Sequence, residues 1–461
     1  MAEGAGRSEN RTSEFLAGPW RATRGGALSG ATSAPGDKSI SHRALIFGAL
    51  ADGETNVAGL LEGDDVLRTA AAMRALGADI ERNRDGAKGP AAVEWRIAGR
   101  RWSPPDAALY FGNSGTGCRL VMGAVAGAGV DARFDGDGSL RARPMGRIAE
   151  PLRAMGAIVE MTDGRLPLGV STPNGLAGVA YELPVASAQV KSAALLAGLG
   201  AAGETIINEP TPSRDHTERM LAAFGVRIDI ETTGAGRRIR LDGGQKLTAC
   251  NVVVPGDPSS AAFPVVAALI VPGSDVLVRN VLVNPLRAGV FETLIEMGAD
   301  ISLENRREAG GEPVADIRAR HSGLKGVAVP ARRAPSMIDE YPILAVAAAF
   351  ADGDTYMPGI EELRVKETDR IDATEAMLKA AGVETDAGPD WMRVCGKGGA
   401  APAGGGRVET RHDHRIAMSA LVLGLATRRP VEIDDAAMIG TSFPNFAELM
   451  RGLGADLAPS G

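Results

Sequence analysis

Six times along the chain a helix-like stretch stops at a glycine followed by a small or branched apolar residue. The stops read Met73-Arg-Ala-Leu-Gly-Ala78, Arg153-Ala-Met-Gly-Ala157, Leu221-Ala-Ala-Phe-Gly-Val226, Leu294-Ile-Glu-Met-Gly-Ala299, Leu378-Lys-Ala-Ala-Gly-Val383 and Met450-Arg-Gly-Leu-Gly-Ala455. Glycine ends a helix because it enters the left-handed region without a Cβ penalty. The alternating run that follows, as in Ala78-Asp-Ile-Glu81, has the period of a strand. Upstream of each stop lies another helix made almost entirely of small apolar residues, with starts near Ser39, Ser114, Ser187, Pro258, Ser336 and His412. Strand-like segments such as Glu54-Thr-Asn-Val57, Glu204-Thr-Ile-Ile207 and Asp354-Thr-Tyr-Met357 follow these helices. Six α/β units of one pattern predict a repeat architecture.

Two of these units open on the same turn. Pro35-Gly-Asp-Lys-Ser-Ile-Ser-His-Arg43 returns as Pro255-Gly-Asp-Pro-Ser-Ser-Ala-Ala-Phe263. The scaffold is kept and the charge is lost: Lys38, Ser39 and Arg43 in the first copy correspond to Pro258, Ser259 and Phe263 in the second. Lys38 and Arg43 are therefore not needed to build the turn and helix. At a helix N-terminus, where free N–H groups and the helix dipole already favour anions, they point to anion binding.

A chain of 461 residues is too long for one core, and six units divide into three plus three. We place one domain at residues 34–254, and the other at 26–33 together with 255–461. A ligand cleft is expected between the domains, with two chain crossings as a hinge. Residues 1–25, rich in Gly, Arg and Glu and without periodicity, are expected to be a disordered tail.

Composition narrows the function. Sixty glycines and 4% aromatics describe packing by small residues. No apolar run approaches the roughly 18 residues of a membrane span, and Glu3, Glu9 and Glu14 rule against a signal segment, so a cytoplasmic, monomeric protein is expected. Cys118, Cys250 and Cys395 offer neither a disulfide framework nor paired metal spacing. A net charge of −7 argues against nucleic acid. Cations here are gathered for a small anion.

Several further motifs fit that reading. Lys366-Glu-Thr-Asp-Arg370 reads as the opening of a helix through Ala380, with Lys366 and Arg370 on one face and an anion expected between them. A solvated basic face is the alternative for that stretch alone; Arg364 and the Pro35 turn favour the anion. Glu367 is placed to exchange a proton with Lys366 or with a substrate. Asp339 lies at the start of another small-residue helix, the slot that Lys38 has in the first unit. Asn113-Ser-Gly-Thr-Gly-Cys-Arg119 is a Gly-rich helix start without the Gly-Lys-Ser/Thr of a Walker loop. Arg141 and Arg143 supply guanidinium groups suited to phosphate or carboxylate. Ser187-Ala-Gln189 and Ser213-Arg214 are polar helix starts. His412 and His414 are spaced to point apart, so no metal is expected there, and Cys118 has no His in its motif to make it a nucleophile.

Taken together, Gly36-Asp-Lys-Ser-Ile-Ser-His-Arg43, Asn113-Ser-Gly-Thr-Gly-Cys-Arg119, Arg143-Pro144, Val365-Lys-Glu-Thr-Asp-Arg370 and Asp413-His-Arg415 resemble the 5-enolpyruvylshikimate-3-phosphate synthases. The likeness runs from about Ala31 to the C-terminus. Ser187-Ala-Gln189 and Thr441-Ser-Phe-Pro444 resemble the second bacterial class of that family. The resemblance implies an α/β fold of two domains, an inside-out α/β barrel with three βαβαββ units in each. It implies no cofactor and no metal, and two small-molecule substrates, shikimate 3-phosphate and phosphoenolpyruvate. By match of motif, Lys38, Ser39 and Arg43 bind shikimate 3-phosphate, Lys38 also reaching phosphoenolpyruvate. Ser187, Ala188 (through its backbone), Gln189 and Arg214 hold the 3-phosphate end. Gly115, Arg143, Arg370 and Arg415 form the phosphoenolpyruvate pocket, in which the herbicide glyphosate competes. Asp339 takes the 5-hydroxyl proton, and Lys366 with Glu367 handles the proton at C3.

Three positions depart from the family's usual pattern: Ala188 where Ser is frequent, Glu362 where Asn is common, and Thr441 where Lys is common. The last removes a cation near the phosphoenolpyruvate pocket. The sister transferase acting on UDP-N-acetylglucosamine is the rival within the fold, but it has Asn after the motif Lys and Cys before Arg-Pro, where this chain has Ser39 and Gly138. A non-catalytic repeat protein that binds anions at helix ends is the rival of a different class.

Overall fold

The computed structural model describes residues 17–84 and 93–460. The chain is mixed α/β and divides into two compact units. One comprises the chain through Ala34, Gly256–Arg307 and Pro313 onward; the other comprises Pro35–Pro255 and Glu308–Glu312.

The Pro35–Pro255 unit holds three four-stranded sheets. Their orders are Val252–Val253, Glu54–Ala58, Val93–Ala98, Asp79–Arg84; then Leu109–Tyr110, Ala132–Asp135, Arg165–Ser171, Ile158–Thr162; then Ala180–Glu182, Glu204–Glu209, Gly236–Asp242, Ile228–Thr233. The other unit holds two four-stranded sheets and one of three strands. Five of the six sheets contain an antiparallel hairpin that follows a helix stop, as in Asp79–Arg84 against Val93–Ala98 and Asp300–Ala309 against Glu312–Arg320; in the sixth, the strand after the last stop, Asp456–Pro459, pairs instead with Trp20–Thr23. None of these sheets closes on itself.

The six glycine stops behave as the sequence pattern requires. Gly77, Gly156, Gly225, Gly298, Gly382 and Gly454 all have φ between +78° and +111°, the region where a Cβ is strained. The small-residue helices are the core of each repeat. Pro258–Ile270 and Tyr341–Ala349 are buried along their whole length. In the Pro35–Pro255 unit, helices Gly115–Ala128 and Ala188–Gly198 approach backbone to backbone: a Cβ on Gly123 would lie 2.2 Å from the Ala193 carbonyl oxygen. That contact explains why these helices are built from Gly and Ala.

Three expectations are corrected. Trp20–Thr23 is not part of a disordered tail but a strand paired with Val431–Ile433 and Asp456–Pro459. Trp20 is 3% exposed, and the Arg451 guanidinium lies over its ring. Burying one indole and completing a sheet outweighs the polar sequence around it. The rest of that expectation, residues 1–16, lies outside the described residues. The start near Ser336 is split: a single helical turn at Ala334–Met337 holds Ser336, and the apolar helix itself runs Tyr341–Ala349; Pro342 fits its first turn, where no N–H is needed. The helix expected from Lys366 begins at Arg370 instead. Asp369 caps it by accepting from the Ile371 and Asp372 N–H groups, both at 3.2 Å. Among the described residues no helix is long and apolar enough to cross a membrane.

Candidate active site

In the Pro35–Pro255 unit the first Pro-Gly-Asp turn delivers a cationic helix start. Gly36 is required by a close approach, since its Cβ would fall 2.0 Å from the Gly59 oxygen. Asp37, wholly buried, caps the helix Lys38–Leu50 by accepting from the Ile40 N–H at 2.8 Å. Lys38 is half-buried, with its Nζ 3.1 Å from Asp65 Oδ2. Arg43 is 2% exposed. It donates to Thr217 Oγ1 at 2.7 Å, Ser192 Oγ at 2.8 Å and the Ser39 carbonyl at 3.0 Å. These partners are neutral oxygens, and they fix the geometry of Arg43. Burial draws its pKa down to about 10, Glu218 and Asp37 opposing that shift, and the charge persists at neutral pH. The positive charge of Arg214, in the next loop, is felt at Arg43. His42 is kept neutral: burial first, then Lys38 and Arg43, hold its pKa well below the ordinary value.

A second cluster forms where two helix starts meet. Ser114 caps Gly115–Ala128 and Ser187 caps Ala188–Gly198, each accepting from the N–H three residues on. Gln189 links them, its Oε1 accepting from Arg119 at 2.8 Å and its Nε2 donating to Thr116 at 3.0 Å. Arg143, 7% exposed, donates to Asn113 Oδ1 at 2.5 Å. Gly115 faces these cations closely: a Cβ there would lie 3.0 Å from Arg143 Nη1 and 3.2 Å from Arg119 Nη1. Arg141 is spent elsewhere, paired with Asp135.

Below Arg214 lies a buried ion cluster. Lys191, fully buried, sits 3.1 Å from Glu209 and 2.8 Å from Glu218. Glu209 accepts from the Ser213 N–H at 2.9 Å and from its hydroxyl. The residue preceding Arg214 is thereby pinned to the core.

In the unit that contains Gly256–Arg307 and the C-terminal part, Asp339 lies in the turn before the helix Tyr341–Ala349. Its Oδ1 is 3.3 Å from Lys366 Nζ and 3.2 Å from Arg370 Nη1. The anion expected between Lys366 and Arg370 is thus supplied internally by Asp339, and it works without the helical spacing first assumed, because Lys366 is extended. Asp339 also does not share the slot of Lys38: Glu340, not Asp339, is the cap position of its helix.

Arg370 is 1% exposed and meets three carboxylates: Asp339, Glu367 at 2.5 Å and Asp413 at 2.8 Å. Burial opposes its charge, yet Asp413, Glu367 and Asp339 together raise its pKa above the ordinary arginine value. Arg415, in the first turn of the helix His414–Gly424, lies 3.6 Å from Glu340. Thr441 donates to the Met438 carbonyl at 2.8 Å.

Sequence reasoning missed Asp65, Arg119, Ser192, Thr217, Glu340 and, as a site residue, Asp413. Each partner is distant in sequence, so no local spacing signals it; only Arg119 and Asp413 stood inside a recognised motif. Burial raises the Cys118 thiol to about 12, which agrees with its dismissal as a nucleophile. Among the described residues one group, Asp215, His216 and Glu312, brings metal-ligand atoms within 4.8 Å. These atoms already serve one another and two cations: His216 Nδ1 is 2.7 Å from Glu312, and Asp215 faces Arg219 and Arg237 at 3.1 and 3.6 Å.

Repeated α/β units whose helix starts present buried arginines make a fold suited to binding anions, and comparison with known proteins specifies its family. The family model for EPSP synthase (3-phosphoshikimate 1-carboxyvinyltransferase) matches residues 22–450. A 3-phosphoshikimate 1-carboxyvinyltransferase of Parvibaculum lavamentivorans is 59% identical over 435 residues, 93% of this chain and 95% of its own. That of Methylorubrum populi is 58% identical over 95% of this chain and 96% of its own. The solved EPSP synthase of Acinetobacter baumannii superposes with a TM-score of 0.82 at 45% identity, covering 96% of this chain and all of that one. The enolpyruvyl transferase NikO of Streptomyces tendae shares the fold, with a TM-score of 0.73 at 19% identity over 96% of this chain and 99% of its own. The chain belongs to the EPSP synthase family.

Proposed function

We propose that the protein transfers the enolpyruvyl group of phosphoenolpyruvate to the 5-hydroxyl of shikimate 3-phosphate, releasing phosphate, as a step of the shikimate pathway. The 5-oxygen adds to C2 of phosphoenolpyruvate while a proton is added at C3. The tetrahedral intermediate then expels phosphate and loses the C3 proton, restoring the enol double bond.

The observation that carries this reading is Asp339, a carboxylate held between Lys366 and Arg370, with a second carboxylate, Glu367, on the same Arg370. Asp339 accepts the 5-hydroxyl proton. Lys366 and Glu367, whose positions are tied together through Asp339 and Arg370, deliver and remove the proton at C3. Arg43, Ser39 and Lys38 bind the shikimate portion, and Arg214, Ser187, Gln189 and the Ala188 backbone bind its phosphate. Arg143, Gly115, Arg370 and Arg415 receive phosphoenolpyruvate. Preorganised cations stabilise developing charge without reorganising.

The test is phosphate release from phosphoenolpyruvate, measured with and without shikimate 3-phosphate, in wild type and Asp339→Asn. Release that depends on shikimate 3-phosphate and falls by about 10²-fold or more in the variant is expected. No release by the wild type, or release unaffected by Asp339→Asn, would overturn the assignment.

A further inference from the structure

The second Pro-Gly-Asp turn has not become inert. Asp257 still caps its helix, accepting from the Ser259 N–H at 2.7 Å. Ser259, the counterpart of Ser39, donates its hydroxyl to Glu340 Oε1. Arg287 completes the group, with Nη1 3.0 Å from Glu340 and Nη2 3.1 Å from Asp257. An internal carboxylate thus fills the anion position at this helix start. Glu340 is 0% and Arg287 2% exposed.

Glu340 reaches outward as well, with Oε1 3.6 Å from Arg415 Nη1. Its other oxygen, Oε2, is buried and has no hydrogen-bond partner among the described residues. Two acids, Asp257 and Glu340, balance two cations, Arg287 and Arg415. Without the Glu340 charge, Arg415 would face the buried Arg287 cation with its side-chain anchor removed. We infer that Glu340, backed by Arg287 and Ser259, is a positioning residue that holds Arg415 in place for phosphoenolpyruvate. This rests on the proposed role of Arg415.

Glu340→Gln keeps shape and leaves an oxygen to accept from Ser259, but removes the charge. It is expected to raise KM for phosphoenolpyruvate about tenfold, with KM for shikimate 3-phosphate within about twofold of wild type. The double variant Arg287→Met/Glu340→Gln removes one buried acid and one buried cation together and leaves Asp257 as the helix cap; replacing a buried ion pair in this way is often nearly neutral for stability. It is expected to melt close to wild type while KM for phosphoenolpyruvate stays high. A KM that returns to the wild-type value as stability returns would make Glu340 merely structural and overturn the inference. So would an unchanged or lowered KM in Glu340→Gln. Arg415→Ala, measured alongside, separates the two claims: an unchanged KM for phosphoenolpyruvate there refutes the role of Arg415 itself. A raised KM in Arg415→Ala with an unchanged one in Glu340→Gln refutes only the positioning by Glu340.

Discussion

Asp413 grips Arg370 from the side, with Oδ2 2.8 Å from Nε and Oδ1 3.3 Å from Nη2, and its Oδ1 also accepts from the Arg415 N–H at 2.9 Å. One buried carboxylate thereby caps a helix and aligns two guanidinium-bearing residues proposed for one pocket. Asp413→Asn keeps the cap but halves the acceptors facing Arg370. A fall of about a hundredfold in kcat/KM for phosphoenolpyruvate is expected, near 2.7 kcal/mol. Steady-state kinetics beside a thermal melt would check it. Full activity in a correctly folded variant would remove Asp413 from the alignment.

Two lysines, Lys38 and the buried Lys191, in the first turns of the first and third small-residue helices should respond in opposite ways. Lys38→Ala is expected to leave the melting temperature nearly unchanged, because the second Pro-Gly-Asp turn folds with Pro258 in that place. Its activity should fall about 10²- to 10³-fold, as for loss of one preorganised donor. Lys191→Met leaves Glu209 and Glu218 uncompensated in the core and should cost about 3–5 kcal/mol of stability. Denaturant titrations of both variants decide the matter. A severe loss of stability in Lys38→Ala would contradict the lesson of the repeat.

Features set by local chemistry were legible before the structure. The glycine stops, the caps at Ser114 and Ser187 and the two Pro-Gly-Asp turns each depend on a few consecutive residues, and each stands where the pattern placed it. Lys366 shows the limit: two strong capping bonds to Asp369 moved the helix start by four residues, which periodicity alone does not weigh. Trp20–Thr23 shows another, since its strand exists only through partners more than 400 residues away. The ion pairs of Asp413 with Arg370 and Glu340 with Arg287, and the hydrogen bonds of Arg43 to Ser192 and Thr217, were invisible for the same reason. Buried polar groups must find partners, but sequence does not say which.

His42 gives a pH dependence of known sign. Its pKa is lowered in the folded protein by burial, with Lys38 and Arg43 adding to the shift. Below its ordinary value of 6.5 the unfolded chain therefore binds a proton that the folded chain refuses. Stability must fall as pH drops through that value, at up to about 1.4 kcal/mol per pH unit, until the folded group also titrates. Above 6.5 the residue contributes no slope. His42→Asn retains a partner for Thr69 without the titration. Its denaturation free energy, compared with wild type between pH 5 and pH 8, should lack this component. Parallel curves would show that His42 titrates in the folded protein as it does in the unfolded chain.

A Cβ on Gly115 would lie against Arg143, in the pocket proposed for phosphoenolpyruvate. The resemblance implies that phosphoenolpyruvate and the longer glyphosate compete at this position, and that resistant members of the second class carry Ala there. In this chain an added Cβ would sit 3.0 Å from Arg143 Nη1, 3.2 Å from Arg119 Nη1 and 3.7 Å from Leu140. The two closest atoms are tips of flexible side chains, so Gly115→Ala should fold normally, with both guanidiniums displaced by a few tenths of an ångström. The methyl then occupies space at the helix start that the longer ligand needs more than the shorter one. A clash of about 3 kcal/mol for glyphosate corresponds to a rise of roughly a hundredfold in its inhibition constant. KM for phosphoenolpyruvate should rise only about threefold, through the shift of Arg143. Inhibition constants measured against phosphoenolpyruvate in both proteins provide the check. Equal constants would mean that glyphosate does not approach Gly115, and equal rises in the two parameters would mean that the methyl acts through Arg143 alone.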